Sequence, residues 1–550
     1  MRFAEAFAAT AELVPSAFAN FGASIDPEWI LEALYSTGTA TVRRRRLPAE
    51  QVIWLVLGMA LRRDMPIPEI VRRLDLALPD ADGNRTVAPS TIAQARARLG
   101  AEPLEWLFHR TASAWATQGA VHRWRDLALL AADGTTLRVP DSDENREHFG
   151  SQSAGKKRGT SGYPLVRLVT VMAVRTHVLL GASFGPYKHG ECSYARALLD
   201  MLPHRSLMLL DRGYLQADVL VPLVGRGHDW LTRTKSTTKY RVLRRLGPGD
   251  ELVEMSVSRE ARRKDPSLPP TFQARVIQYQ RKGFTPKTLL TSLLDPEHFP
   301  AAELRVLYHE RWEIELGYGE IKTDLLERME TIRSKSPATV AQEIWGLLLA
   351  YNLVRLEMMR LAADLGVEPT RISFVAAVRE IVQEWYWNAD TATPGAIPKR
   401  LATMRDNIRV FVLPPRRSER LYPRAVKIKM SNYARKRPPT RRGANTTASG
   451  WMSAACGPLP ASTAVARRAP RQPSRDDASD RQPDGDEAVV EVPLRPRAAA
   501  RRLPASGRPR GGNAARVRRP RTRSSKARRR CDGASRGSGG PRSDRGRARP

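Results

Sequence analysis

The sequence predicts an α/β protein in which strands and helices alternate around a sheet, with an α-helical region in front, a β-rich insertion and a disordered basic tail. Three observations carry that reading. Apolar runs of strand length begin at Leu127 (LALLAADGTTLRVP), Tyr163 (YPLVRLVTVMAVRTHVLLGASFG) and Ser206 (SLMLLDRGYL), with a helical pattern over Glu191–Leu202 between the last two. Segments with a 3.6-residue period flank these runs on both sides. Beyond about Ala434 the chain is rich in Arg, Pro, Gly and Ser and almost free of aromatic residues, a composition too polar to bury a core.

Taken in order, residues 1–120 are helical. IDPEWILEALYSTG is followed by the cluster Arg43–Arg46 and by LPAEQVIWLVLGMALRR, where Pro48 and Glu50 suit a helix start. In APSTIAQARARLG, Ser90 is the expected N-cap. Arg96 and Arg98 are spaced along a short helix, either as a DNA-reading helix carries them or as a solvated surface does. Residues 121–335 hold the sheet. Within them a stretch of about 229–294 returns to short β-type runs, KYRVLRRL, ELVEMSV, FQARVIQYQ and KTLLTSLL, broken by Gly-Pro and Pro-Pro, and reads as an inserted subdomain. Residues 336–433 are helical again, with Trp and Met positions that fit a core, and 434–550 form the tail.

Composition narrows the function. The net charge of +34 points to a polyanionic partner, yet 30 basic and 9 acidic residues lie between Ser431 and Pro550, leaving 61 and 48 on the first 430. The body is therefore basic without its tail. No apolar run reaches the length of a membrane span, and the first residues lack the basic start and apolar core of a signal peptide, so a cytoplasmic protein is expected. Cys192, Cys456 and Cys531 are too scattered for a disulfide framework or a zinc cluster, so any metal falls to carboxylates.

Such carboxylates are present. The stretch LRVLYHERWEIELGYGEIK, Leu304–Lys322, reads as one helix, on which Tyr308, Arg311, Glu315 and Lys322 share an arc of about 60°. Leu307, Ile314, Tyr318, Ile321 and Leu325 form the neighbouring apolar stripe, and His309, Glu310, Glu313, Gly317, Glu320 and Asp324 fall on the side expected to face water. Asp133 interrupts an apolar strand beside Gly134, and Asp211 ends the run Leu207–Leu210, where open α/β sheets place their chemistry. Asp133, Asp211 and Glu315 together are the hard-oxygen set that two-metal phosphoryl transfer requires, with two magnesium ions roughly 4 Å apart. Arg311 and Lys322 suit the neutralisation of phosphate, and Tyr308 suits a hydrogen bond to it.

These residues resemble the DDE transposases of the insertion-element-four type. The family signature Y-x2-R-x3-E-x6-K is matched by Tyr308, Arg311, Glu315 and Lys322, the first-aspartate region by Asp133-Gly134-Thr135-Thr136, and the second by Asp211-Arg212-Gly213-Tyr214. The resemblance runs from about residue 20 to about 433, ending with PRAVKIKMSNYARKR. It implies a ribonuclease-H-like mixed sheet with Asp133, Asp211 and Glu315 as catalytic metal ligands, magnesium (with manganese as a substitute), and a helical DNA-binding region ahead of it. It further implies a homodimer on double-stranded DNA that cleaves a mobile element at its terminal inverted repeats and joins the 3′-hydroxyl ends to target DNA, with nucleoid association as a consequence. Some relatives form a hairpin and hold a flipped base with an aromatic residue; Trp230, Tyr279 and Phe284 lie in or near the insertion, and no motif selects among them. A stand-alone endonuclease and an inactive DNA-binding descendant are the alternatives. The tail is either a phosphate-binding extension or a reading frame entered after a frameshift or lost stop.

Overall fold

The computed structural model describes residues 25–40, 46–152, 162–280, 286–327, 331–391 and 397–414. All lie in one compact unit, Met1–Arg435. The expected disorder of 434–550, the family-like ending PRAVKIKMSNYARKR, Phe284 and most of Arg43–Arg46 lie outside the described residues.

The front of the chain is helical: α1 (Pro27–Ser36), α2 (Ala49–Leu61), α3 (Ile67–Arg73), α4 (Pro89–Leu99) and α5 (Glu102–Trp115). Pro27 at the first helical position and the Asp26 side chain, which accepts from the Glu28 amide at 3.0 Å, start α1. In α2 every residue from Gln51 to Leu61 is buried, because the helix is apolar on all sides. The expected cap of α4 is corrected: Ala88 is the flanking residue and Pro89 opens the helix, so Ser90 already lies inside it. Arg96 is corrected too. It is buried, donates from Nε to Gln342 Oε1 at 2.8 Å and from Nη2 to Ser334 Oγ at 2.9 Å, and so joins this region to the long helix described below rather than reading DNA.

Next come β1 (Arg123–Trp124), β2 (Leu127–Arg138), α6 (Asp143–Phe149), β3 (Leu165–Ala173), β4 (Leu179–Pro186), α7 (Glu191–Arg196), β5 (Ser206–Leu210), α8 (Ala217–Gly225) and β6 (Asp229–Arg233). The chain continues with β7 (Arg241–Gly247), β8 (Asp250–Ser256), α9 (Arg259–Lys264), β9 (Thr271–Tyr279) and β10 (Lys287–Thr291). Among the described residues these strands form one ten-stranded sheet in the order β4-β3-β2-β5-β6-β10-β9-β8-β7, with β1 beside β2. The centre is parallel, β2 to β5 to β6, and all other pairings are antiparallel. The sheet is therefore mixed, as expected. The reading of 229–294 as a separate subdomain changes: β6 pairs parallel with β5 in the centre, and β10, β9, β8 and β7 lengthen the same sheet.

Helices α10 (Ala301–Leu307), α11 (Trp312–Gly319), α12 (Pro337–Leu365), α13 (Phe374–Thr391) and α14 (Ile397–Arg409) complete the described fold. The 29-residue α12 is the scaffold on which front and back meet. Gly346 lets α2 approach it: a Cβ there would collide with the Val56 side chain and lie 3.4 Å from the Val56 carbonyl oxygen. At the same junction the buried Glu343 accepts from Arg63 Nη1 at 2.7 Å and from the Ser334 amide at 3.0 Å. No helix among the described residues is long and apolar enough to cross a membrane.

Candidate active site

The sheet brings Asp133 and Asp211 together by register alone. Ala132 of β2 is paired with Leu210 of β5 in the parallel ladder, so the next residues, Asp133 and Asp211, emerge on neighbouring strands about 4.8 Å apart. Each stands on a fixed backbone. Tyr318 of α11 donates its hydroxyl to the Asp133 carbonyl at 2.6 Å, and Thr232 of β6 donates to the Asp211 carbonyl at 3.2 Å. The residue before Asp211, Leu210, accepts from the Tyr308 hydroxyl at 3.3 Å. Tyr308 is thus buried and directed at the backbone at the end of β5, with burial pushing its phenol up to about 12.

The Leu304–Lys322 stretch is helical throughout, but not as one α-helix. A 3₁₀ turn, Tyr308–Arg311, links α10 to α11, and a π-helical turn, Glu320–Leu325, follows. The 3₁₀ turn places residues i and i+3 one above the other, which stacks Tyr308 over Arg311. Arg311 is buried, donates from Nη2 to Glu315 Oε1 at 2.8 Å and lies 5.1 Å from the Trp312 ring centroid. Lys322 is half-buried in the π-helical turn. The expected apolar stripe is buried as predicted, from Leu307 to Leu325. The face assigned to water is not open: Gly317 is buried, and Glu310, Glu313 and Glu320 meet Arg175, His177 and Arg355.

Burial dominates the electrostatics of the site. Asp133, Asp211 and Glu315 are all half-buried, leaving each reachable from outside. Burial pushes Asp133 up to about 7; the Gly134 amide, at 2.8 Å, and Arg311 oppose the rise, while Glu191 and Glu315 add to it. Glu315 is also raised, first by burial and then by Asp211, against the pull of Arg311. Arg311 keeps its proton more firmly than usual: burial works against it, but Tyr308, Glu315 and Asp211 outweigh burial.

Glu191 is the acidic neighbour that sequence reasoning missed. It opens α7, its carboxylate receives Arg167 Nη1 at 2.6 Å, and a Cβ at Gly134 would collide with it. An acid in the first turn of a helix is ordinary, so only the fold connects it to Asp133. Cys192, next to it, is not a thiolate at neutral pH, since burial pushes its thiol up to about 11.

Among the described residues no three acidic, histidine or cysteine side chains converge on one point as a metal cage, Glu315 being held by Arg311. The chemistry of the donor set nevertheless fits a hard divalent ion. The candidate ligands are oxygens only, two of them on adjacent strands, where burial makes unpaired negative charge costly.

A mixed sheet with acids on its adjoining central strands, closed by a helix with a third acid, defines a ribonuclease-H-like fold of the DDE class. Residues 15–109 match the family described as insertion element 4 transposase N-terminal, and residues 124–353, which include all three acids, match the transposase DDE domain. The chain is 40% identical over 418 residues to the transposase InsG for insertion sequence element IS4 of Escherichia coli K12, covering 75% of this chain and 93% of that one. It is 39% identical over 214 residues to the putative transposase InsZ of the same strain, covering 38% and 70%. A cryo-EM structure of piggyBac transposase in a synaptic complex with hairpin DNA aligns with 73% of this chain and 86% of that chain, at 12% identity and a TM-score of 0.35, a likeness too slight to carry an argument. This chain belongs to the insertion-element-4 family of DDE transposases. The family acts on DNA and uses divalent metal ions.

Proposed function

We propose that this chain binds the terminal inverted repeats of its own mobile element, cleaves the DNA there and joins the freed 3′-hydroxyl ends to target DNA by magnesium-dependent phosphoryl transfer. The observation that carries this reading is the register of β2 against β5, which sets Asp133 beside Asp211 at a solvent-reachable edge next to Glu315. Asp133, Asp211 and Glu315 would hold the metal, which when bound polarises phosphate oxygens and activates the attacking hydroxyl. Arg311, which pairs with Glu315, would exchange it for a phosphate of the substrate, and Lys322 would add a point charge farther along the same helical stretch. Tyr308, Tyr318 and Thr232 keep the aspartate backbones fixed, so that the carboxylates do not reorganise during the reaction. The partner is double-stranded DNA, bound by a homodimer in the nucleoid-associated cytoplasm.

The test uses purified protein with DNA carrying the element's end. Magnesium-dependent cleavage and joining are expected from the native chain, and Asp133→Ala, Asp211→Ala and Glu315→Ala should each abolish both while end binding persists. Cleavage without joining would instead identify an endonuclease, and end binding without cleavage an inactive descendant. Substantial activity in any of the three variants would remove that residue from the site.

A further inference from the structure

The helical stretch that carries Glu315 is held from behind by a set of side chains that touch none of the three site acids. The turn between β3 and β4 supplies two of them. Arg175 makes a two-pronged pair with Glu310, at 2.9 and 3.0 Å, and His177 Nε2 lies 2.9 Å from Glu313 Oε2. His177 is fully buried and has a backbone φ of 62°, a left-handed conformation that a non-glycine residue adopts at a cost. From the other side α12 supplies Arg355, only 1% exposed, which pairs through Nη2 with Glu320 and donates to His177 Nδ1 at 2.6 Å. Since Nδ1 accepts from the guanidinium, the ring proton is on Nε2 and points at Glu313. Tyr351 donates to Glu320 at 2.8 Å. Burial alone would raise Glu320, but the Arg355 guanidinium beside it holds it below the usual carboxylate range.

We infer that Arg175, His177 and Arg355 are positioning residues for Glu315, fixing the rotation of the 308–325 helical stretch about its axis. Three acids, Glu310, Glu313 and Glu320, are gripped at the start, middle and end of that stretch, across a 3₁₀ turn, an α-helix and a π-helical turn. Such a span has three different twists and hence no single intrinsic phase. Side-chain ties set it instead. The same β3 that leads into this turn is paired with β2 at Asp133, through Thr170, so the clamp refers Glu315 to the strand that carries its partner acid. The buried His177 and Arg355, with the half-buried Arg175, make sense as fixed points, in the way that partners of metal-binding side chains orient them.

This inference rests on the proposed phosphoryl-transfer function. The test uses the full chain with Arg175→Ala and Glu313→Ala, singly and combined, because both positions are partly exposed and truncation there spares the core. Glu313→Gln keeps an oxygen that accepts from His177 Nε2–H and serves as the conservative control. On DNA with a pre-cut end, the combined variant should lose about 10- to 100-fold in kcat. KM for DNA should stay within about two-fold, and more manganese should be needed for half-maximal rate. The rise in Tm that manganese gives the DNA-free protein should shrink, while Glu313→Gln behaves as the native chain. If the combined variant does not fold, the Glu313→Ala and Glu313→Gln pair carries the same expectation. Native kcat and manganese response in the alanine variants would overturn the inference, as would a fall in kcat matched by Glu313→Gln. A native chain with no metal-dependent joining would overturn the proposed function instead.

Discussion

Asp133 is the residue at which environment and chemistry are most closely coupled. An acid pushed up to about 7 in the folded state, from about 3.9 when unfolded, holds its proton in the native protein over a range where the unfolded chain has lost it. Stability contributed by the protonated form is therefore present at low pH and is lost as pH rises from about 4 through about 7. Without metal, Asp133→Asn should stabilise the protein at pH 8 by on the order of 2–4 kcal/mol, after allowance for solvent screening, and by much less at pH 5. Chemical denaturation at the two pH values checks this; equal effects at both would mean that the carboxyl is not perturbed. Magnesium at pH 8 should raise the Tm of the native protein more than that of Asp133→Asn. Arg311→Lys should be damaging to joining even though charge is kept, since a point charge does not reproduce a fork, whereas Lys322→Ala should weaken it less than Glu315→Ala does. Joining rates at several magnesium concentrations decide, and native rates in both variants would end their assigned role. Asp133 and Asp211 were legible because a charged residue inside or at the end of an apolar run conflicts with the run. Glu191 was not, because it breaks no local rule.

At the level of elements, periodicity located the helical stretch 304–322 and its apolar stripe but misjudged its other side. A 3.6-residue pattern separates apolar from polar positions and does not distinguish water from a buried arginine as the polar partner. His177 and Arg355 lie far away in sequence, so Glu310, Glu313 and Glu320 look solvated. The strands of 229–294 were legible one by one, yet their place in the central sheet was not, because pairing is set by non-local register. The contact between α2 and α12 gives a direct prediction. Gly346→Ala gains up to about 1 kcal/mol in helix propensity but drives a methyl into the branched, stiff Val56, and should destabilise by about 1–3 kcal/mol overall. A urea melt showing equal or greater stability would mean that the helices separate without cost.

For the whole molecule, composition sets the stretch after Ser431 apart from the rest in charge. The described core runs from Ile25 to Ile408, so a chain ending after Asn445 should keep its melting temperature and its joining activity. It loses 25 of the 30 basic residues that follow Ser431, and its non-specific DNA affinity should fall with a shallower dependence on salt. Loss of folding on truncation, seen by circular dichroism, would place part of the core beyond that point. What composition did not reveal is that the front helices share one hydrophobic core with the sheet and with α12.

That shared core has an evolutionary consequence. Arg96 reaches Gln342 and Ser334, Arg63 reaches Glu343, and Val56 fills the notch at Gly346, so the described helices of the front region are fitted to α12 and the turn before it. A region joined by a loose linker can be exchanged between elements by a single recombination event. Here a hybrid carrying the front of a relative would leave buried arginines and a buried glutamate without their counterparts, at several kcal/mol each. Exchange of the front region in such a lineage must therefore carry α12 along with it.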